Sequence, residues 1–397
     1  MFTTYTIDQE MIRDSNQKKI LQLLQKRREL TKQEMSQILG LSIPTIATNT
    51  NILIAEGLLE EGGIGDSSGG RKPVIIKFLP NARFSFGVDI SSQRVRIILT
   101  NLDSEILASV EFIDLDFTNI ELILQRIADH MTQMMMDLKI ESKAVLGVGF
   151  SLPGTVDEEL GILEMAPSLG LYKVPLQKQF QAYFSAPIYI ENEANAAAFG
   201  ELTLGIAQQM KNLVYLSVTH GIGAGIVIKG HLYKGKNKRA GEFGHMTLIP
   251  NGKQCKCGRN GCWELYASVQ TLLSRYRASL KAESLPTSIT LKSFFNDLAM
   301  GNSMARKVWD EYLDYLTTGI QNIILTLDPH YIVVGGDISL YEDYLLPDLQ
   351  KKIFTPNAFY EEGDTSIVIS TLKENATILG ASLLPMKNLL FQNESIL

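Results

Sequence analysis

The chain has 397 residues, 45% hydrophobic and 20% charged, with a formal net charge of −6. That length exceeds one ordinary core and points to two or three folded units, while the acidic total excludes a protein that coats nucleic acid. No run of about 18 apolar residues suggests a membrane span, and the polar stretch 1–16 lacks the basic-then-apolar order of an export signal, so a cytoplasmic protein without a membrane partner is expected.

Charge is unevenly spread. Residues 13–72 hold nine Lys or Arg against seven Asp or Glu, a net +2 that leaves −8 on the remainder and suits a compact binding surface. Within 16–28, Ile20, Leu21, Leu23 and Leu24 recur at helical spacing. Thr31 is placed to cap a second helix, with Glu34 completing a capping box, Met35, Ile38 and Leu39 forming the buried face and Gly40 ending it. Ser42 caps a third helix that tolerates Pro44 in its first turn, carries Ile43, Ile46, Ile52, Leu53 and Ile54 on its apolar side and closes at Gly57.

Two helices joined by a short Gly-containing turn form a helix-turn-helix pattern. The short polar side chains Ser42, Thr45, Thr48 and Asn49 are therefore expected to face double-stranded DNA. Residues 58–61 and 74–78 read as strands of a wing, whose tip Gly69-Gly70-Arg71-Lys72-Pro73 brings Arg71 and Lys72 to phosphates or the minor groove. Arg27 and Arg28 read as charges that complement the first helix's dipole. This module spans 1–80.

Further along, 86–112 reads as three strands with Asp103-Ser104 in the second turn, and a similar unit recurs at 213–233 around Thr219-His220-Gly221-Ile222-Gly223-Ala224-Gly225. Helices are expected over 120–139 and 304–327. Two such units imply two related α/β lobes with a ligand in the cleft between them.

All three cysteines, Cys255, Cys257 and Cys262, lie within eight residues, which suits a metal better than a disulfide. His245 is the natural fourth ligand of a closed, structural Cys3His zinc site. His130, His220, His231 and His330 have no such neighbourhood.

In this order, the wing tip, Leu152-Pro153-Gly154, Glu191-Asn192-Glu193-Ala194-Asn195-Ala196-Ala197, the glycine loop 221–225, Gly241-Glu242-Phe243-Gly244-His245, the cysteine run 255–264, Asp328-Pro329 and Val333-Val334-Gly335-Gly336 resemble the ROK family of sugar kinases and sugar-controlled repressors. The resemblance covers nearly the whole chain, and its amino-terminal module matches the repressor branch. It implies an actin-like ATPase fold, also described as sugar kinase-like and ribonuclease H-like, in a smaller lobe (81–195 with 375–397) and a larger lobe (196–374) carrying the zinc loop and a dimer surface.

It also implies a sugar site of Asn192, Glu193, Glu242, His245 and Glu264, with Gly154 and Gly223 lining the approach, and a homodimer or tetramer. Glu191 and Glu201 read as surface residues. Family kinases carry Asp where Glu193 stands, and Asp-x-Gly-Gly-Thr where this chain has Asp89-Ile90-Ser91-Ser92-Gln93. Thr219-His220 and Gly335-Gly336-Asp337 also depart from the kinase loops. These losses argue against ATP and against catalysis. The expectation is a repressor of a carbohydrate-utilisation operon that responds to a sugar, xylose first, with a bifunctional DNA-binding kinase as the alternative.

Overall fold

The computed structural model describes residues 9–64, 74–280, 289–355 and 359–390. Helix α1 (Gln9–Arg27) starts ahead of the predicted point, since no Gly or Pro interrupts the polar residues before 16. Its Ile20, Leu21 and Leu24 are buried. There follow β1 (Glu29–Thr31), α2 (Lys32–Leu39), α3 (Ile43–Ala55), β2 (Leu59–Ile64) and β3 (Val74–Phe78). The three strands pair antiparallel in the order β1-β3-β2, so the helix-turn-helix carries a wing. Arg71 and Lys72 fall outside the described residues.

Local chemistry sets the helix boundaries. The Thr31 hydroxyl accepts from Glu34 N while the Glu34 carboxylate accepts from Thr31 N at 2.7 Å and from the Thr31 hydroxyl at 2.8 Å, and these last two bonds hold that carboxyl below its usual range. Gly40 stops α2 in the left-handed conformation, and Ser42 accepts from Thr45 N to open α3. Two expected core residues are instead half exposed, Ile38 at 53% and Ile43 at 51%. Ile43 is the first residue of α3, ahead of the turn that packs, and Ile38 lies about 60° around α2 from the buried Met35, beyond the narrow contact face of so short a helix.

The body contains two five-stranded sheets of one topology. The first takes β4 (Phe84–Ile90), β5 (Val95–Asn101) and β6 (Ile106–Phe112), then α4 (Ile120–Asp137) and β7 (Val145–Leu152). A three-stranded insert of β8 (Thr155–Asp157), β9 (Ile162–Ala166) and β10 (Leu171–Val174) precedes α5 (Leu176–Phe180), β11 (Ile188–Asn192) and α6 (Glu193–Thr203). The second sheet takes β12 (Leu213–Val218), β13 (Ile222–Ile228) and β14 (His231–Leu232). After it come α7 (Glu264–Ala267), α8 (Val269–Ser279), α9 (Leu291–Ala299) and α10 (Ser303–Leu327), then β15 (Tyr331–Gly335), α11 (Glu342–Ile353), β16 (Ser366–Ile369), α12 (Ala376–Leu383) and α13 (Lys387–Leu390).

The orders β11-β7-β4-β5-β6 and β14-β13-β12-β15-β16 are the same pattern read from opposite edges. In each, an antiparallel meander supplies three strands and two parallel strands complete the sheet. The duplication expected from 86–112 and 213–233 is thus present in the backbone.

Helices α6 and α12 cross between the sheets, α6 packing on β12 and β13 and α12 on β4 and β7. The crossing is close enough that a Cβ on Gly380 would overlap the Ala196 carbonyl. A third core runs from α1 through α6 to α12 and α13, including Ile20, Leu24, Ala197, Leu383 and Leu390. Polar contacts add to this junction: Gln25 Nε2 donates to Leu102 O at 2.6 Å, and Arg28 pairs with Asp103 in the β5–β6 turn. Arg28 is therefore an anchor to the body as well as a helix-end charge. Among the described residues no single helix is long and apolar enough to cross a membrane.

Candidate functional site

A cavity of 590 Å³ opens between the two sheets, and Gly154, Asn192, Glu193, Gly223, Glu242, His245 and Glu264 all line it. Strand ends and helix starts bring them together. Asn192 ends β11 and caps α6: its Oδ1 accepts from Ala194 N (2.9 Å) and Asn195 N (3.1 Å), while its Nδ2 donates to Gly154 O at 2.9 Å. Glu193 follows as the first residue of α6, Gly223 lies in β13, and Glu264 opens α7. Glu242 precedes a 3-10 turn, Phe243–His245, so both side chains reach the cavity.

The pocket gathers acid. Burial, then the charges of Asp89, Glu242 and Glu264, push the Glu193 carboxyl up to about 8. Burial also raises Asp89, against a hydrogen bond from Ser151 Oγ, and raises Glu242. Carboxyls, an amide and an imidazole converging on one cavity offer both donors and acceptors to a polyol, and a protonated Glu193 would donate where an ionised one only accepts.

The metal-type residues adjoin this wall. Ligand atoms of His245, Cys255, Cys257 and Cys262 all lie within 4.8 Å of one another. Cys257 and Cys262 sulfurs are 3.6 Å apart, and Cys255 Sγ is 3.6 Å from His245 Nδ1. Tetrahedral zinc at about 2.3 Å from each sulfur would require an edge near 3.8 Å, so the donor set fits that ion. The loop closes through Cys255 N to Arg259 O (2.8 Å), and Gly261 has φ +73° where a Cβ would overlap Ile249 O. Burial pushes the Cys255 and Cys262 thiols up, and a divalent cation would reverse that preference by binding thiolates. His245 joins the two sites: Nδ1 faces Cys255 and lies 3.4 Å from Glu264, while Nε2 lies 3.9 Å from Glu242.

On the far side of the cavity the two equivalent hairpin turns meet, with Gln93 hydrogen-bonded to His220. Burial lowers the His220 pKa, which favours the neutral ring that accepts from the Gln93 amide. Arg96 donates to Glu374 O at 3.0 Å and Asn375 Oδ1 at 2.6 Å, tying β5 to the segment before α12. Side chains thus occupy the loops that the kinase pattern leaves bare. His220, unremarkable in the sequence, takes part in this contact.

Two carboxylates read as surface residues are buried: Glu191 is 6% exposed and Glu201 fully enclosed. Glu201 accepts from Ser370, from Leu372 N (3.0 Å) and from Ile206 N (2.8 Å). Glu191 accepts from Asn192 N at 2.9 Å, Asn195 Nδ2 at 3.2 Å and Lys234 Nζ at 2.6 Å. Glu191 opens the 191–197 motif, a local signal that could have drawn it in; Lys234 carries none.

On α3, Thr48 is exposed, while Ser42 and Thr45 share a 2.8 Å hydroxyl contact at the cap. Asn49 departs from the expected DNA-facing set. It lies in the buried stripe of Ile46, Thr50 and Leu53, at 4% exposure, with its amide donating to Thr45 O, because spacings of three, four and seven residues share one helix face.

A family model described as "ROK family" matches residues 85–388, and one described as "Winged helix-turn-helix DNA-binding" matches 13–60. The chain belongs to the ROK family. A ROK relative, the xylose repressor of Bacillus subtilis, is 31% identical over 376 residues, covering 94% of this chain and 96% of the relative. The glucokinase of Thermotoga maritima is 29% identical over 306 residues, covering 75% and 95%. The crystal structure of a ROK family transcriptional regulator, homologous to the Escherichia coli MLC protein, superposes with TM-score 0.80 at 24% identity, covering 96% of this chain and 98% of that one. The body alone matches a Streptomyces griseus ROK glucokinase solved with glucose and AMPPNP (TM-score 0.65, 24% identity, covering 76% and 98%). The ROK chain therefore carries a winged helix-turn-helix ahead of a sugar-kinase-like body.

Proposed function

We propose that this ROK protein is a sugar-responsive DNA-binding repressor of a carbohydrate-utilisation operon, with xylose the first candidate effector. The observation that carries the reading is one chain in which a winged helix-turn-helix is packed against a body whose cleft gathers Asn192, Glu193, Glu242, His245 and Glu264. Full-length similarity to xylose repressors supports the choice of sugar. Gly154 and Gly223 line the approach. Ser42, Thr45 and Thr48, with Arg71 and Lys72 of the wing, are the proposed DNA contacts, and Asn49 drops out of that set. His245, Cys255, Cys257 and Cys262 would hold a structural zinc that stiffens the sugar wall. The side chains in the phosphate loops support loss of ATP-dependent kinase activity.

The working units in this reading are 1–80, 81–195 with 375–397, and 196–374, assembled as a cytoplasmic dimer. Sugar favours the DNA-incompetent arrangement of the lobes, and it acts only to the extent that it binds that state more tightly. Titration of the zinc-loaded protein against its own upstream DNA, at fixed salt and with pentoses, hexoses and amino sugars, tests the reading. Release by one sugar supports it; DNA affinity indifferent to all of them overturns the sensor half.

A further inference from the structure

The β8–β9 turn, the end of β11 and the loop 233–241 belong to different parts of the body, yet their charged side chains interleave. Lys234 Nζ lies 2.6 Å from Glu191 Oε2 and 2.7 Å from Glu158 Oε1. Lys238 Nζ reaches the same Glu158 oxygen at 3.0 Å and Glu159 at 3.1 Å. Lys234 O accepts from Ala240 N at 3.0 Å, so the loop that carries both lysines folds back on itself just before Glu242.

Glu191 divides its oxygens between two tasks. Oε1 accepts from Asn192 N and Asn195 Nδ2, holding the turn that opens α6, and Oε2 faces Lys234. Its side chain is only 7% exposed. A carboxylate charge buried that deeply is costly to leave without its cation, so the side chain would have to turn toward water to relieve it. A Glu191 side chain turned that way gives up its hydrogen bonds from Asn192 N and Asn195 Nδ2, so the turn loses its anchor. The turn matters to the cavity because Asn192, Glu193 and Asn195 all line it, and because Asn195 Oδ1 is buried without a partner, an acceptor that a ligand hydroxyl would satisfy.

We propose that Lys234 is a positioning residue for the sugar pocket: by neutralising Glu191 it fixes the Asn192–Asn195 turn, and by its place in the loop 233–241 it sets that turn against Glu242 on the opposite wall. It touches no ligand itself. The inference rests on the sugar-sensor reading and adds to it a residue outside every motif of the site.

The test is calorimetric titration of D-xylose and D-glucose into the zinc-loaded full-length protein and three variants. Lys234→Met is expected to weaken the affinity about tenfold or more, and Lys234→Arg to stay within about threefold of the parent. Glu191→Gln/Lys234→Met is expected to recover most of the loss, because a neutral amide keeps the Oε1 acceptor and needs no cation. Rescue by removing the partner's charge ties the loss of affinity to the Glu191–Lys234 pair and not to packing of the lysine stem. Affinity unchanged in Lys234→Met, or a double variant no better than the single one, overturns the proposal while leaving the sensor reading intact. A parent that binds neither sugar overturns both for these ligands. Should Lys234→Met fail to fold, the comparison moves to the Glu191→Gln background. There, adding Lys234→Met must change affinity by less than about threefold, and a further tenfold loss overturns the proposal.

Discussion

Gln93 and His220 close on each other across the cleft, joining the turn between β4 and β5 to the turn between β12 and β13. The duplication makes these two turns equivalent, and in a nucleotide-binding version of the fold both would present bare backbone amides to phosphate. Here side chains fill that space, and Asp337 adds a carboxyl at the third loop. Mg-ATP is therefore expected neither to shift the thermal midpoint nor to be consumed in a coupled ADP assay with xylose or glucose. Turnover of about 1 s⁻¹ or faster, the ordinary range for kinases, would refute this.

Metal removal should act on folding and on sugar together, since His245 belongs to both the zinc-type cluster and the cavity wall. Zinc present at about a thousand times its dissociation constant stabilises by about 4 kcal/mol, or roughly 5 °C in a chain of 397 residues. Chelation, and separately Cys257→Ser, should lower the thermal midpoint on that order and weaken sugar binding. A verified zinc-free sample with unchanged sugar affinity would separate the two sites.

Glu193 predicts a pH dependence. Its folded pKa, about 8, lies above the unfolded carboxylate value, so between those limits the folded protein keeps a proton that the unfolded chain releases. The stabilisation is complete below the unfolded pKa and is lost as pH rises toward 8. Glu193→Gln, which fixes the neutral form, should flatten the fall in stability between pH 5 and 8, leaving the variant more stable than the parent at pH 8 by on the order of a few kcal/mol. Chemical denaturation at several pH values measures it, and parallel profiles for the two proteins would contradict the assignment.

What the sequence revealed follows the range of the forces involved. The Thr31–Glu34 box, the Ser42 cap and the Gly40 stop are contacts within three or four residues, and they were legible. The cysteine spacing was legible for the same reason, whereas the proposed sugar residues came from motif resemblance and not from spacing. Asn49 was misread because its short polar side chain suits a DNA contact as well as a bond to the Thr45 carbonyl, and only the packing of α3 against α1 decides which face is covered. Glu191 and Glu201 looked like ordinary surface acids because, beside local donors, each has a partner far along the chain, Lys234 and Ser370, 43 and 169 positions away.

The junction between the DNA module and the body supplies the remaining prediction. Gln25 donates to Leu102 O and Arg28 pairs with Asp103, whose carboxylate is 7% exposed, so the end of α1 is tied to the β5–β6 turn of the first sheet. That sheet also receives α12, which crosses α6, the helix opened by Asn192 and Glu193. A movement of the sheets around bound sugar must therefore either carry α1 with it or break these bonds. Coupling between two sites is commonly worth about 1–3 kcal/mol, a 5- to 150-fold change in affinity. Gln25→Ala/Asp103→Ala should leave operator affinity in the absence of sugar within about threefold of the parent and reduce the sugar-induced change by about fivefold or more. Operator titrations with and without saturating sugar, at one salt concentration, decide it. An undiminished response would place the coupling in the apolar contacts of α1 with α13 instead, since those survive both substitutions.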